Sequence, residues 1–213
     1  MKVRNYLFLF LITILLSGMV YALQERKVFF TASVPYNSRT VEMGFHYDTF
    51  LWGCATGYEE YNRPCIPADT EGELIIPDSM ACVDGRMIPV AWISRGSFQS
   101  CPKLTNIRLS KNLLTISDLA FAGCKSLQEI TFPYSLEVIF PRAFIGCTAL
   151  RRITFLSPEP PRSYNNDTFD EVTYATATLV VPAQSSELYL NDPISYRFRY
   201  HAEELPLYTD TKP

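Results

Sequence analysis

The chain has 213 residues, 47% of them apolar, 19% charged and 14% aromatic, with a formal net charge of −3. This is the composition of a folded globular chain, which excludes disorder and collagen-like repeats. A slightly acidic chain lacks the clustered positive charge that phosphate backbones require, so no nucleic-acid partner is expected.

Residues 1–22 read as a secretory signal peptide. Lys2 and Arg4 form a basic start, Leu7 to Leu16 is apolar except for Thr13, and Val20, Tyr21 and Ala22 precede a cut after Ala22. The apolar stretch is short of the ~20 residues of a spanning helix. No second long apolar run follows, so no membrane span is expected in the mature chain. The segment holds two basic and no acidic residues, so its removal leaves 191 residues with a net charge of −5. Export permits disulfides without requiring them.

Residues 23–71 are expected to form an N-terminal β cap. Within 38–54, Val41, Met43, Phe45 and Tyr47, then Phe50 and Trp52, alternate as a hairpin would. The middle of the chain repeats every 23 residues. Phe98, Phe121 and Phe144 keep that step, as do Cys101, Cys124 and Cys147, and Leu104, Leu127 and Leu150. So do Ile107, Ile130 and Ile153, then Leu109, Phe132 and Phe155, and Ile93, Ile116 and Ile139. Six apolar columns in one register predict a solenoid, in which no coil buries its apolar face alone and stacking makes each column a ladder. Within a unit, Ile107 and Leu109 point in and Arg108 out, as in a strand. Ser117 to Cys124 reads as a short helix or 3₁₀ turn, and Leu113 to Ile116 as a second short extended piece. Further on, Thr178 to Val181 reads as a strand and Ser185 to Leu190 as a short helix with a Ser cap. Residues beyond about Glu203 read as a polar tail.

The order Ile107, Leu109, Ile116, Ala120, Phe121, Gly123, Cys124, Leu127, repeated from Ile130 through Pro133, Ile139, Ala143, Phe144, Gly146 and Cys147 to Leu150, resembles the BspA-type leucine-rich repeat family. Gly72 to Pro77 with Val90 to Ile93 resembles that family's first coil. Pro158 to Pro161, Asp167 to Asp170, Leu179 to Pro182 and Tyr189 resemble its closing segment. The resemblance spans roughly residues 72–192. Ser94, Ser117 and Phe140 stand where the family usually has Gly, and Ser110 stands where Pro77 and Pro133 stand in neighbouring units. The resemblance implies a β-rich α+β solenoid: a short leucine-rich repeat array at 72–157, behind the N-terminal β hairpin region and before a C-terminal cap and tail at 158–213. Only two complete units are present, so the caps are expected to carry much of the stability.

Chemistry-bearing residues are sparse. The column Cys101, Cys124 and Cys147 reads as buried thiols, because rungs in register have parallel Cβ vectors and lack the short Cys-x-x-Cys pairs of zinc sites. Cys54, Cys65 and Cys82 lie outside it. Cys54 with Cys65 closes a short polar loop and is the favoured disulfide, with pairings through Cys82 left open. His46 and His201 have no neighbouring nucleophile motif, and no nucleophile elbow, metalloprotease helix or phosphate loop occurs. Glu59, Glu60 and Glu171 read as solvated charge. Asn166 to Thr168 is a formal glycosylation sequon. No catalytic residue, metal or cofactor is therefore expected.

The outward strand positions, Asn106 and Arg108, Glu129 and Thr131, Arg152 and Thr154, are expected to form two rows on one sheet face, the surface solenoids commonly use for partners. Of 13 Tyr, only Tyr134 lies within the repeats, and six run from Tyr164 to Tyr208. Those near the ends suit lids over open core ends. The leading reading is a non-enzymatic binding or adhesion module, exported to a bacterial envelope, cell surface or exterior, with a protein or glycan partner. The resemblance implies the same, since the family is associated with attachment to host proteins and other cells. The competing readings are a glycan-processing accessory or weak hydrolase, which needs two facing carboxyl groups about 5–10 Å apart, and a purely structural envelope component.

Overall fold

The computed structural model describes residues 13–16, 19–22, 27–37, 39–48, 53–57, 64–81, 85–164 and 167–205. Phe50, Trp52, Glu59, Glu60, Cys82, Asn166 and the chain after Leu205 lie outside the described residues, as do most of residues 1–22. Strands β1 (Thr13–Leu16) and β2 (Met19–Ala22) pair antiparallel, apart from the main sheet.

The rest is a strand-rich solenoid with one open sheet bent around it. One flank stacks β6 (Gly72–Ile75), β9 (Leu104–Arg108), β11 (Glu129–Phe132), β13 (Arg152–Phe155), β15 (Thr178–Pro182) and β16 (Tyr200–Leu205), all parallel. The other stacks β5 (Cys54–Thr56), β8 (Met87–Ile93), β10 (Thr115–Ile116), β12 (Val138–Ile139) and β14 (Arg162–Ser163), also parallel. Parallel neighbours follow from coiling, since each turn brings the chain back in the same direction. The antiparallel hairpin of β3 (Lys27–Tyr36) and β4 (Arg39–Asp48) joins the flanks at the first coil, with β3 on β6 and β4 on β5. β7 (Ser79–Ala81) pairs antiparallel with β8.

That hairpin corrects the expected one. Its turn lies at Asn37, so its first arm precedes residue 38 and the segment 38–54 supplies the second arm and the approach to β5. Met43, Phe45 and Tyr47 are buried, as alternation requires, but so are Gly44 and His46 between them. The Gly44 N–H donates to the Cys65 carbonyl at 2.9 Å, which holds the chain around Cys65 against β4.

In the middle coils the strand registers set like against like. Ile130 pairs with Ile107 and Ile153, and Ile116 with Ile93 and Ile139. All the residues of the six sequence columns are buried. Phe98, Phe121 and Phe144 stack with ring centroids 5.0 and 4.9 Å apart, and Phe169 adds a fourth ring at 5.2 Å. These distances match the ~4.8 Å spacing of neighbouring strands. Phe169 follows Phe144 by 25 residues, so an exact period misses it.

Ser117 to Cys124 forms successive turns, not a helix. Leu119 and Gly123 have φ of 55° and 78°, and left-handed residues so close together cannot propagate a right-handed helix. The backbone instead bonds to the next coil. The N–H groups of Phe98, Phe121 and Gly123 donate to Ala120, Ala143 and Ile145, each at 2.8 Å. The last coil continues the pattern with a side chain, because Asp170 Oδ2 accepts from the Gly146 N–H at 2.7 Å.

After the stacked coils come α1 (Glu171–Thr176) and α2 (Ser186–Leu190). Ser185 sits at the N-cap of α2, yet its side chain makes no capping bond and its own backbone is in the αR region. Tyr174 and Phe198 meet the Phe169 ring edge-on at 5.7 and 5.5 Å, at the end of the phenylalanine stack. Tyr189 packs on Phe155 at 5.3 Å, and its hydroxyl donates to the Ser157 carbonyl at 2.8 Å. Burial pushes the Tyr174 hydroxyl up to about 12 and raises Tyr189 further. Both rings therefore stay neutral and behave as core.

Candidate binding face

The cysteine column is the first chemical candidate. Cys101, Cys124 and Cys147 are buried free thiols. The thiols of Cys124 and Cys147 donate to the Phe98 and Phe121 carbonyls of the preceding coil, both at 3.1 Å. Thr173 repeats the contact on Cys147 O at 3.4 Å. Burial, followed by the neighbouring Cys124, pushes the Cys101 thiol up to about 12. The hydrogen bond from Cys124, then burial, holds Cys147 high as well. Neutral hydrogen-bonded thiols are poor nucleophiles and poor metal ligands.

The favoured Cys54–Cys65 bridge is not formed. Both thiols are buried and they are not bonded to each other. Cys65 joins the column instead: burial and the charge of neighbouring Cys101 raise its thiol, and its N–H donates to Ser97 O at 2.6 Å. Its 36-residue offset from Cys101 conceals this rung from a search at 23.

The two histidines serve the backbone. His46 is buried, with Nδ1–H donating to the Gly57 carbonyl at 2.8 Å. His201 Nε2–H donates to Phe198 O at the same distance. Asp192 is buried and accepts from the N–H groups of Ile194 and Ser195 and from the Ser195 hydroxyl. Glu171 pairs with Arg197, whose guanidinium lies 4.1 Å from the centre of the Tyr174 ring. Among the described residues, no group of three or more His, Cys, Asp or Glu could hold a metal ion.

The outward rows lie on the flank of β6 to β16. Register places Glu73, Asn106, Glu129, Arg152, Thr178 and Tyr200 in one line across six strands. Glu73, Asn106, Glu129 and Tyr200 are exposed, while Arg152 and Thr178 are half-buried. In the second line Arg108 and Thr131 are exposed, but Thr154 is 8% exposed and its partner Val180 is fully buried. Thr154 therefore adds little surface, and the open part of that line ends before β13. The face mixes both signs of charge, unlike a phosphate-tracking groove. Glu73, Thr178 and Tyr200 escaped the sequence reading because their steps along the line are 33, 26 and 22 residues.

A BspA-type leucine-rich repeat region matches residues 90–189 in six copies. No curated protein matches the chain. Among solved structures, a leucine-rich repeat protein from Bacteroides capillosus is 25% identical, with 50% of this chain and 86% of that one covered, at a TM-score of 0.30. Among the described residues, no helix is long and apolar enough to cross a membrane. Residues 90–189 of this chain belong to the BspA-type leucine-rich repeat family.

Proposed function

We propose that this chain is an exported, non-catalytic binding module that attaches a bacterial cell surface to a protein partner. Recognition falls on the exposed polar line of β6 to β13, with Asn106, Arg108, Glu129, Thr131 and Arg152 at its centre and Thr154 at its closed margin. The observation that carries this reading is a mixed-charge row held in strand register above a buried hydrophobic core, within a family whose repeats commonly mediate protein interactions. A surface of this kind is preorganised, so little ordering entropy opposes binding. The solenoid occupies residues 72–157, with 23-residue coils following a longer first one. It is closed by the hairpin within 23–71 and by the aromatic and helical segment after 158, and residues 1–22 are removed on export.

Solid-phase binding of the purified mature chain to immobilised extracellular-matrix and cell-surface proteins tests the reading. Saturable binding to at least one of them is expected. Uniform failure across the panel, with the chain folded by circular dichroism, would contradict it.

A further inference from the structure

The opposite flank carries a feature the repeat pattern does not call for. Immediately after the buried Ile93, Ile116 and Ile139, successive rungs bear Ser94, Ser117 and Phe140. Ile139 pairs with Ser163, so Tyr164 follows on the next rung. The Phe140 and Tyr164 rings lie 5.4 Å apart at 35°. They are 36% and 68% exposed. Two small residues thus give way to two large rings at one outward corner of the last coils.

The surroundings of this pair are polar. Arg162 lies two residues before Tyr164, beside Val138 of β12. Its guanidinium is 3.8 Å from the Glu137 carboxylate, at the solvent surface. The strands beneath are fixed by register to β10 and to each other, so the rings are presented by a rigid base. Rings anchoring a protein partner usually sit at the dry centre of a larger apolar patch. Here, among the described residues, two stand together, with a cation and an anion close by in the chain and a phenol hydroxyl on one ring.

We propose that Phe140 and Tyr164 form a stacking platform for a neutral saccharide, separate from the strand face described above. A pyranose offers an apolar C–H face for the rings and a rim of hydroxyls. Arg162 supplies only donors, Glu137 only acceptors, and the Tyr164 hydroxyl either, which together suit that rim. The two rings stand on adjacent rungs, so they span about 5 Å, the order of one sugar unit. The platform binds and orients, and no bond is made or broken there.

Native affinity electrophoresis of the purified chain through gels containing xylan, glucomannan, mannan or hydroxyethylcellulose, compared with a gel lacking polysaccharide, tests this. Retardation is expected in at least one of them. Tyr164→Ala should abolish it, Phe140→Ala should weaken it at least fivefold, and Tyr164→Trp should retain it, with thermal midpoints unchanged. A variant carrying Arg108→Ala, Glu129→Ala and Arg152→Ala should be retarded like the parent, which separates this platform from the strand face. The proposal is overturned by no retardation in any gel, by equal retardation of Tyr164→Ala, or by loss of retardation in the triple variant. It is overturned equally if Tyr164→Ala loses only the capture of a protein while no polysaccharide retards the parent.

Discussion

Arg142 holds a left-handed backbone with φ 57°, 46 residues after Gly96, which has φ 65° in the equivalent turn. That conformation strains a side-chain-bearing residue by about 1–2 kcal/mol, and Gly escapes it at some cost in unfolded-chain entropy. Arg142→Gly should therefore raise stability by about 0.5–1 kcal/mol in urea unfolding, the exposed side chain leaving little behind. Thr168 is fully buried and its hydroxyl has no hydrogen-bond partner among the described residues. Thr168→Val removes an unsatisfied group at nearly constant shape, and should stabilise the chain by about 1 kcal/mol on the same measurement. The thiol column makes a pH prediction. The Cys101 proton is bound more tightly in the folded chain, at about 12, than at the ordinary 9.0. Its contribution is therefore intact below pH 9 and is lost as pH rises towards 12. Urea midpoints should fall over that window, and a Cys101→Ala variant should fall less steeply. Individual residues were legible in the sequence where exact spacing marked them. Cys65, Phe169 and Thr173 extend the same ladders at irregular steps, because the chain between those rungs differs in length while the space they fill does not.

One side chain ties the turn of the β3–β4 hairpin to the start of β6. Asn37 Nδ2–H donates to the Glu71 carbonyl at 2.6 Å, and Asn37 Oδ1 accepts the Glu73 N–H at 2.8 Å, across the start of β6. A Cβ at Gly72 would lie 2.3 Å from Asn37 Nδ2, and Gly72 has φ 83°, so only glycine lets the two segments meet. Asn37→Ala should cost about 1–2 kcal/mol, read as a lower urea midpoint with faster amide exchange in 72–75. Strand alternation showed that a hairpin lies near here but misplaced its turn. Residues 43–47 are buried on both faces, so alternation is muted where it was needed. The segment Ser117 to Cys124, read as a short helix or 3₁₀ turn, is a run of turns. Its Ala, Leu and Phe spacing suits a helix, yet left-handed Leu119 and hydrogen bonds to the next coil decide its shape, and neither shows in residue type.

At the scale of the molecule, stacking makes each coil both the lid and the floor of a neighbour. Phe121 lies between Phe98 and Phe144, and its carbonyl accepts the Cys147 thiol. Truncating it opens the stack at its middle, so Phe121→Ala should cost about 3–5 kcal/mol in urea unfolding. The sheet was legible because its core repeats, whereas the binding surface was legible only in part. Outward positions follow from inward ones by alternation, but their exposure depends on neighbours, and Thr154 is buried although its parity is outward. The reading that most needs testing is that recognition lies on this exposed polar line, above a core that only supports it. The most direct measurement is the dissociation constant of a bound matrix or cell-surface protein for the parent chain and for the variant with Arg108→Ala, Glu129→Ala and Arg152→Ala. The account predicts at least a tenfold weakening with an unchanged thermal midpoint, whereas equal affinity would place the binding surface elsewhere.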